Sequence, residues 1–147
     1  NHEAAQRTWQ RAVVCFQGVR EIAPTTALYI RATNNLGSVL LETAAYDRAE
    51  PLFLEALAVD STYADAWVNL AHCTRMRATR ELGPHWGPGW ALAAQQYHRA
   101  LELSPNHLEA NVSFGQLWSA VGDTALGHLY LARARAVRPD DVRWGGR

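Results

Sequence analysis

A pattern of small, large and helix-ending residues recurs along the chain with a period of 34 positions. Three pairs of equivalent residues show this spacing: Leu36 and Leu70, Ala100 and Ala134, and Pro105 and Pro139. A fixed period of this length indicates that the chain is built from copies of one supersecondary unit. Such a unit cannot bury its apolar face alone, so successive copies must stack on one another. The repeat therefore predicts a stacked, solenoid-like architecture.

Each unit is predicted to be a hairpin of two helices, A and B. Helix A carries a small residue at Gly37, Ala71 or Gly115, because helix B crosses close to it. In helix B, a small residue is followed after 4, 7 and 12 positions by a large residue, a second small residue and a residue that ends the helix. These sets are Ala49, Phe53, Ala56 and Ser61; Ala93, Tyr97, Ala100 and Pro105; and Gly127, Leu131, Ala134 and Pro139. Proline ends a helix because it lacks the backbone N–H.

The predicted fold class is all-α, a right-handed α-solenoid of about seven helices. We expect helices at 2–22, 28–43, 46–59, 64–82, 89–103, 107–121 and 124–137. Ala12, Phe16, Val19 and Pro24 repeat the helix B offsets, so the first helix is predicted to be a half-repeat. The expected single domain spans 1–147, with an N-terminal helix in 1–26, repeats in 30–63, 64–107 and 108–141, and a tail in 142–147.

The second repeat contains ten extra residues between its helices. Leu70 and Ala93 are 23 positions apart, whereas the equivalent residues in the other two repeats are 13 apart. Gly83 suits a left-handed helix end and Pro84 prevents continuation, so the segment after them is predicted to be a loop. The loop residues His85 and Trp86 are candidate partner contacts, since exposed tryptophans often anchor interfaces. The alternative is that Trp86 folds back over its own hairpin.

These residues resemble the tetratricopeptide repeat (TPR) family, whose pattern is W-x2-L-G-x2-Y, then A-x3-F, then P. The second repeat matches it with Trp67 and Leu70, and has Ala71 for glycine and Thr74 for tyrosine. In this family positions 2, 5, 9 and 12 of helix A line a concave groove that binds protein segments. The resemblance therefore implies groove residues at Arg31, Asn34, Ser38, Leu41, Asp65, Val68, His72, Arg75, Glu109, Val112, Gln116 and Ser119, and we add Asn69.

One ligand class of the family is not expected here. Some TPR domains hold the C-terminal carboxylates of chaperones with five Lys, Arg and Asn side chains. Those places are occupied in this chain by Asn34, Ser38, Asn69, Glu109 and Ser113. Only Asn69 agrees, and Glu109 puts a negative charge beside the carboxylate that would bind.

Several function classes are disfavoured by composition and motifs. Lys+Arg and Asp+Glu both number 14, so the chain lacks the basic surplus that nucleic-acid binding requires. No apolar run reaches the roughly 20 residues that would insert in a membrane. The six histidines have no metal-binding spacing, and no nucleophile or phosphate-loop motif is present, so we expect no enzyme activity, no metal and no cofactor. Cys15 and Cys73 lie in apolar helical patterns and are expected to be buried and inert.

The sequence thus favours a protein-interaction scaffold that binds a protein or peptide partner. Two alternatives stay open: an arm of a larger enzyme of glycosyltransferase, sulfotransferase or hydroxylase type, or an assembly subunit that forms homo- or hetero-oligomers. Tyr130, Val137 and Trp144 are candidates for an interface at the last repeat. We expect a cytoplasmic chain, and an extracytoplasmic or membrane-anchored one stays open because the chain does not begin with Met.

Overall fold

The computed structural model describes residues 2–22, 26–83 and 87–144, which form helices and no strand. The elements are α1 (His2–Ile22), α2 (Ala27–Glu42), α3 (Tyr46–Val59), α4 (Ala64–Leu82), α5 (Pro88–Leu103), α6 (Leu108–Ala120), α7 (Thr124–Val137) and a 3₁₀ turn (Val142–Trp144). Every predicted helix is confirmed, with each end within one residue of its predicted position.

The helices pack in the order that a solenoid of hairpins requires. The hairpins are α2–α3, α4–α5 and α6–α7, and α1 packs on α2 as the half-repeat predicts. The first helices of the three hairpins, α2, α4 and α6, also contact one another in sequence. Their shared inner face is called the groove below. The all-α solenoid predicted from the 34-residue period is therefore the observed fold.

Small residues let the two helices of each hairpin approach closely, as the pattern predicts. Ala49 and Ala93 are fully buried. A Cβ atom built on Gly127 would lie 2.9 Å from the Gly115 carbonyl oxygen of the facing helix. At this distance no side chain fits between α6 and α7, so the repeated small residues determine the helix spacing.

Two apolar clusters form a continuous core between successive hairpins. One cluster joins α2, α3 and α4 around Phe53 and Leu70, and the other joins α4, α5 and α6 around Tyr97 and Phe114. Trp67 packs against both clusters. Phe53 and Tyr97, the larger residues of the first two helices B, thus fill the space toward the next hairpin, because one hairpin alone leaves this face uncovered.

The turns follow the sequence signals for helix ends. Helix α4 ends at Leu82, and Gly83 follows with φ of 82° and donates its N–H to the Thr79 carbonyl. Gly122 adopts φ of 95° after α6, while the equivalent residue after α2 is Ala44, with φ of 57°. A residue with a Cβ is strained in this left-handed region. The first repeat therefore pays a small conformational cost that the third avoids.

The two cysteines differ, and the expectation of burial is wrong for Cys15. Cys73 is fully buried in α4, and this burial raises the pKa of its thiol to about 11, which makes it unreactive at neutral pH. Cys15 is exposed on α1, and neither cysteine is disulfide-bonded. Among the described elements, α1 packs mainly on α2, so the other side of its apolar pattern faces solvent, as the exposed Val14 shows.

The described tail repeats the turn that joins one hairpin to the next. The carbonyls of Asp60 and Ser104 accept hydrogen bonds from the N–H groups three residues later, and Arg138 does the same for Asp141 at 3.3 Å. Asp141 then accepts a bond from the Arg143 N–H at 3.0 Å, as a helix N-cap does. Residues 142–144 thus occupy the place of the first turn of a helix A.

Candidate functional site

The groove contains a cavity of about 220 Å³ between α2, α4 and α6. Six of the predicted groove residues line it: Asn34, Ser38, Asp65, Val68, Asn69 and Glu109. The lining also includes Asn35, Tyr63 and His107, which the sequence analysis did not select. The structure thus brings positions from three repeats, far apart in the sequence, to one polar site.

Amide and hydroxyl groups join α2 to α4 on the floor of this cavity. The Asn69 side-chain amide donates to the Asn34 carbonyl oxygen Oδ1 at 3.0 Å and to the Ser38 hydroxyl at 3.1 Å. The Ser38 hydroxyl in turn donates to the backbone carbonyl of Asn34 at 3.1 Å. Because Asn34 is only 4% exposed, these bonds hold its side chain in one orientation. The resulting donors and acceptors are fixed before any ligand arrives.

Asp65 and His107 are hydrogen-bonded across the boundary between the second and third repeats. His107 Nε2 lies 2.7 Å from Asp65 Oδ1, and His107 Nδ1 accepts a bond from the Ala110 N–H at 3.3 Å. His107 is therefore the N-cap of α6 as well as a partner of α4. The hydrogen bond from His107 is the main reason that the pKa of Asp65 is lowered, with Tyr63 and Arg31 also contributing.

Glu109 forms an ion pair with Arg143 of the tail. Arg143 Nη1 lies 2.8 Å from Glu109 Oε2, and another nitrogen of the same guanidinium is 2.8 Å from Asp141 Oδ2. These two hydrogen-bonded carboxylates raise the pKa of Arg143 further above its usual range, chiefly through Asp141. The carboxylates at position 2 of α4 and α6 are thus both partnered within the fold.

A second group of polar residues lies toward the C-terminal end of α4. Arg75 Nη2 lies 3.4 Å from His72 Nδ1, and the Arg75 guanidinium is 6.0 Å from the centre of the Trp90 ring. Burial, reinforced by the positive charge of Arg75, lowers the pKa of His72. His72 is therefore neutral at pH 7 and accepts the bond from Arg75. Tyr97, which is fully buried, lies against the same guanidinium.

The remaining predicted groove residues have different environments. Val68 and Val112 are 6% and 5% exposed, so they pack within the fold more than they present a surface. Arg31 and Gln116 are exposed. The predicted loop contacts His85 and Trp86 lie outside the described residues.

An apolar cavity of about 220 Å³ opens beside the Arg75 group, between α5 and the end of α6. Its walls are Gly87, Trp90, Ala91, Ala94, Leu117, Trp118 and Val121. Trp90 belongs to both features, because its ring also faces Arg75. Trp90 occupies the position that Tyr46 holds in the first repeat, and both residues are buried.

The three candidate residues at the last repeat have different surroundings. The Tyr130 ring lies 4.7 Å from that of Phe114 and packs with the core. Val137 is 42% exposed. Trp144 is half-buried, donates its indole N–H to the Arg138 carbonyl at 2.7 Å and stacks under Arg135. Whether a partner binds this end stays a prediction.

The lining residues that were missed share a simple position. Tyr63 and His107 each directly precede a helix A, and Asn35 is adjacent to a predicted groove residue. The family positions start inside helix A, so they skip the N-cap residue. Tyr63 and His107 share a sequence signal: each is an N-cap with a long side chain, followed two positions later by an acidic residue.

Two negative findings apply to the described ranges 2–22, 26–83 and 87–144. Within them, no group of three or more His, Cys, Asp or Glu side chains is arranged to hold a metal ion. Likewise, none of the helices there is both long enough and apolar enough to cross a membrane.

Comparison with known proteins identifies the fold. No family model matches the sequence, and no curated protein matches it. Solved structures of MamA do match: one titled "Crystal structure of MamA" has a TM-score of 0.69 at 15% identity and covers 97% of this chain and 75% of that chain. A second, MamA 41-end from Desulfovibrio magneticus RS-1, has a TM-score of 0.67 at 19% identity and covers 94% of this chain and 71% of that one. The MamA RS-1 ArsTM double mutant gives a TM-score of 0.68 at 18% identity and covers 92% and 69%. The chain therefore has the TPR-like α-solenoid fold that its repeat predicts.

Proposed function

We propose that this chain is a protein-interaction module that binds a segment of a partner protein in the groove. The observation that carries the proposal is the cavity between α2, α4 and α6, where residues from three repeats present fixed polar groups. The proposal gives the chain a binding role and no catalytic one.

The chemistry of the cavity suits a peptide backbone. Asn34, Asn69 and Ser38 supply amide and hydroxyl groups, and a peptide unit offers one donor and one acceptor at regular intervals. Because the fold already orients these side chains, little conformational entropy is lost when a ligand binds. The carboxylates of Asp65 and Glu109 already have partners within the fold, His107 and Arg143, so we expect hydrogen bonding to dominate this part of the groove.

Selection from a random peptide library displayed on phage, with the purified chain as bait, tests the proposal. Selected peptides should bind much more weakly to the double variant Asn34→Ala/Asn69→Ala. They should bind normally to Gln95→Ala/His98→Ala, a control pair on the exposed side of α5. Peptides that bind both double variants equally, or a selection that yields no binder, would refute the assignment of the groove.

A further inference from the structure

The charged groups at the two edges of the groove differ in their partners. Asp65 is paired with His107 at 2.7 Å, and Glu109 is paired with Arg143 at 2.8 Å. Arg75 is different, because no described carboxylate lies within 4.0 Å of its guanidinium, where an ion pair would form. The guanidinium lies 3.4 Å from the neutral His72. A half-buried guanidinium without a carboxylate is costly unless a ligand completes it.

Comparison of the repeats within this chain singles out the same place. Arg75 occupies position 12 of helix A, where the other repeats have Leu41 and Ser119. Tyr97 occupies the packing position that Phe53 and Leu131 fill without any oxygen atom. The second repeat therefore departs from the other two at two residues that face each other. Packing alone does not require either departure, since the other repeats pack without them.

The polar atoms at this place are incompletely bonded in the described structure. Arg75 Nε is buried and forms no hydrogen bond with a described residue. The buried Tyr97 hydroxyl interacts with Arg75 and Ser113, but neither contact has good hydrogen-bond geometry. Buried polar groups are nearly always bonded, and exceptions often mark functional positions. The Tyr97 hydroxyl lies under the guanidinium and beside Ser113, where it restricts the orientation of Arg75. We regard Tyr97 as a positioning residue, since a ligand cannot reach it.

We propose that Arg75 and His72 form a carboxylate subsite of the groove, which binds an aspartate or glutamate side chain of the partner segment. The inference rests on the proposed function, because it assumes a protein ligand in the groove. A guanidinium binds a carboxylate through two parallel N–H bonds, which favours this ligand over a neutral amide. The adjacent cavity of Trp90, Leu117 and Trp118 has room for a bulky apolar residue next to the acidic one.

Nuclear magnetic resonance titration with two capped dipeptides tests this subsite. The probes are acetyl-Asp-Leu-amide and the isosteric acetyl-Asn-Leu-amide, and the readouts are the backbone amides of 72–76 and the Trp90 indole. We expect saturable shifts and about tenfold tighter binding of the aspartate probe. Equal binding of the two probes, or no saturable shift, would overturn the proposal.

Matched variants separate a specific site from a general charge effect. Arg75→Gln should abolish the preference for the aspartate probe, and Arg75→Lys should retain part of it because lysine keeps the charge but loses the planar fork. Arg80→Gln is the control, since Arg80 lies on the same helix and over a ring, that of Tyr46, but only 4.0 Å from the Asp47 carboxylate. If both Arg75→Gln and Arg75→Lys keep the full preference for the aspartate probe, the role of Arg75 is refuted. Two variants are used so that the test still works if one of them is unstable.

Two further outcomes keep the interpretation specific. Tighter binding of acetyl-Asn-Leu with a free C-terminal carboxylate would overturn the assignment to an acidic side chain. Failure of the dipeptides to show any carboxylate preference, while phage-selected peptides still depend on Asn34 and Asn69, would refute the subsite and leave the groove function intact. A carboxylate preference of the dipeptides, together with phage-selected peptides that do not depend on Asn34 and Asn69, would refute the groove function alone.

Discussion

The substitution Gly127→Ala tests whether close helix contact holds the last hairpin together. An added Cβ would lie 2.9 Å from the Gly115 carbonyl oxygen and 3.0 Å from the Ser119 backbone nitrogen, and would also strike the Ser119 hydroxyl. Two of these three atoms belong to the backbone, so α6 and α7 must move apart. Overpacking of this kind costs about 1–3 kcal/mol or more, against about 1 kcal/mol gained from alanine's helix propensity. Because backbone atoms must shift, we expect the overpacking cost to lie at the upper end of this range, about 3 kcal/mol. After the gain in helix propensity, the net loss of stability is about 2 kcal/mol.

Gly18→Ala is the matched control, since a Cβ at this α1 position has no heavy atom within 4 Å. Only the helix propensity changes there, so we expect a gain of up to about 1 kcal/mol. Thermal unfolding followed by circular dichroism should show a melting temperature lowered by about 4–8 °C for Gly127→Ala and unchanged or raised for Gly18→Ala. Equal stabilisation by both substitutions would show that the hairpin is less tightly packed than described and would refute the reasoning.

Three other substitutions test separate parts of the fold. Ala44→Gly should stabilise the chain by up to about 1 kcal/mol in denaturant unfolding, because Ala44 has φ of 57° and the equivalent Gly122 has no Cβ to strain; a loss would contradict this. Tyr97→Phe should leave the free energy of unfolding unchanged or raise it by about 1 kcal/mol, since it removes a buried hydroxyl that has no hydrogen bond of good geometry with a described residue. A clear loss of stability would show that the hydroxyl is hydrogen-bonded. The pKa of His72 is lowered by burial, so the unfolded chain binds its proton first and stability should fall as the pH drops below about 6.5. His72→Gln should reduce this fall between pH 6.5 and 5, above the range where carboxylates titrate, and an identical pH profile would exclude His72 as its source.

The sequence predicted the fold well because every unit repeats the same packing problem. Small residues such as Ala93 and Gly127 must face a crossing helix, and Pro105 and Pro139 must end one, so spacing alone determines the helices. The helix ends on both sides of the inserted segment also follow local signals, since α4 ends just before Gly83 and α5 begins with Pro88. These are local constraints, and local constraints are visible in a linear sequence.

The site was harder to predict because its properties depend on contacts between repeats. Family positions identified Asn34 and Asn69, but not that one donates to the other across two helices. His107 was considered only as one of six histidines without metal-binding spacing, although it both caps α6 and is hydrogen-bonded to Asp65. The sequence also does not reveal that, among the described residues, no carboxylate lies within ion-pair distance of Arg75, because this depends on how the repeats pack.

The two edges of the groove show how one repeated position can stabilise the fold while another remains available to a ligand. At position 2, Asp65 and Glu109 each have a partner from the following segment of the fold, the imidazole of His107 or the guanidinium of Arg143, within 2.8 Å. These contacts join neighbouring elements, and a ligand gains little by competing with partners that the fold already holds in place. At position 12 the chain supplies Arg75 and no opposite charge within ion-pair distance in its described part. A partner that carries a carboxylate to this point gains an interaction that the solenoid does not make for itself. If Arg75 binds a partner carboxylate as we propose, this unpaired charge, more than the charges that the fold already pairs, determines which segment the groove selects.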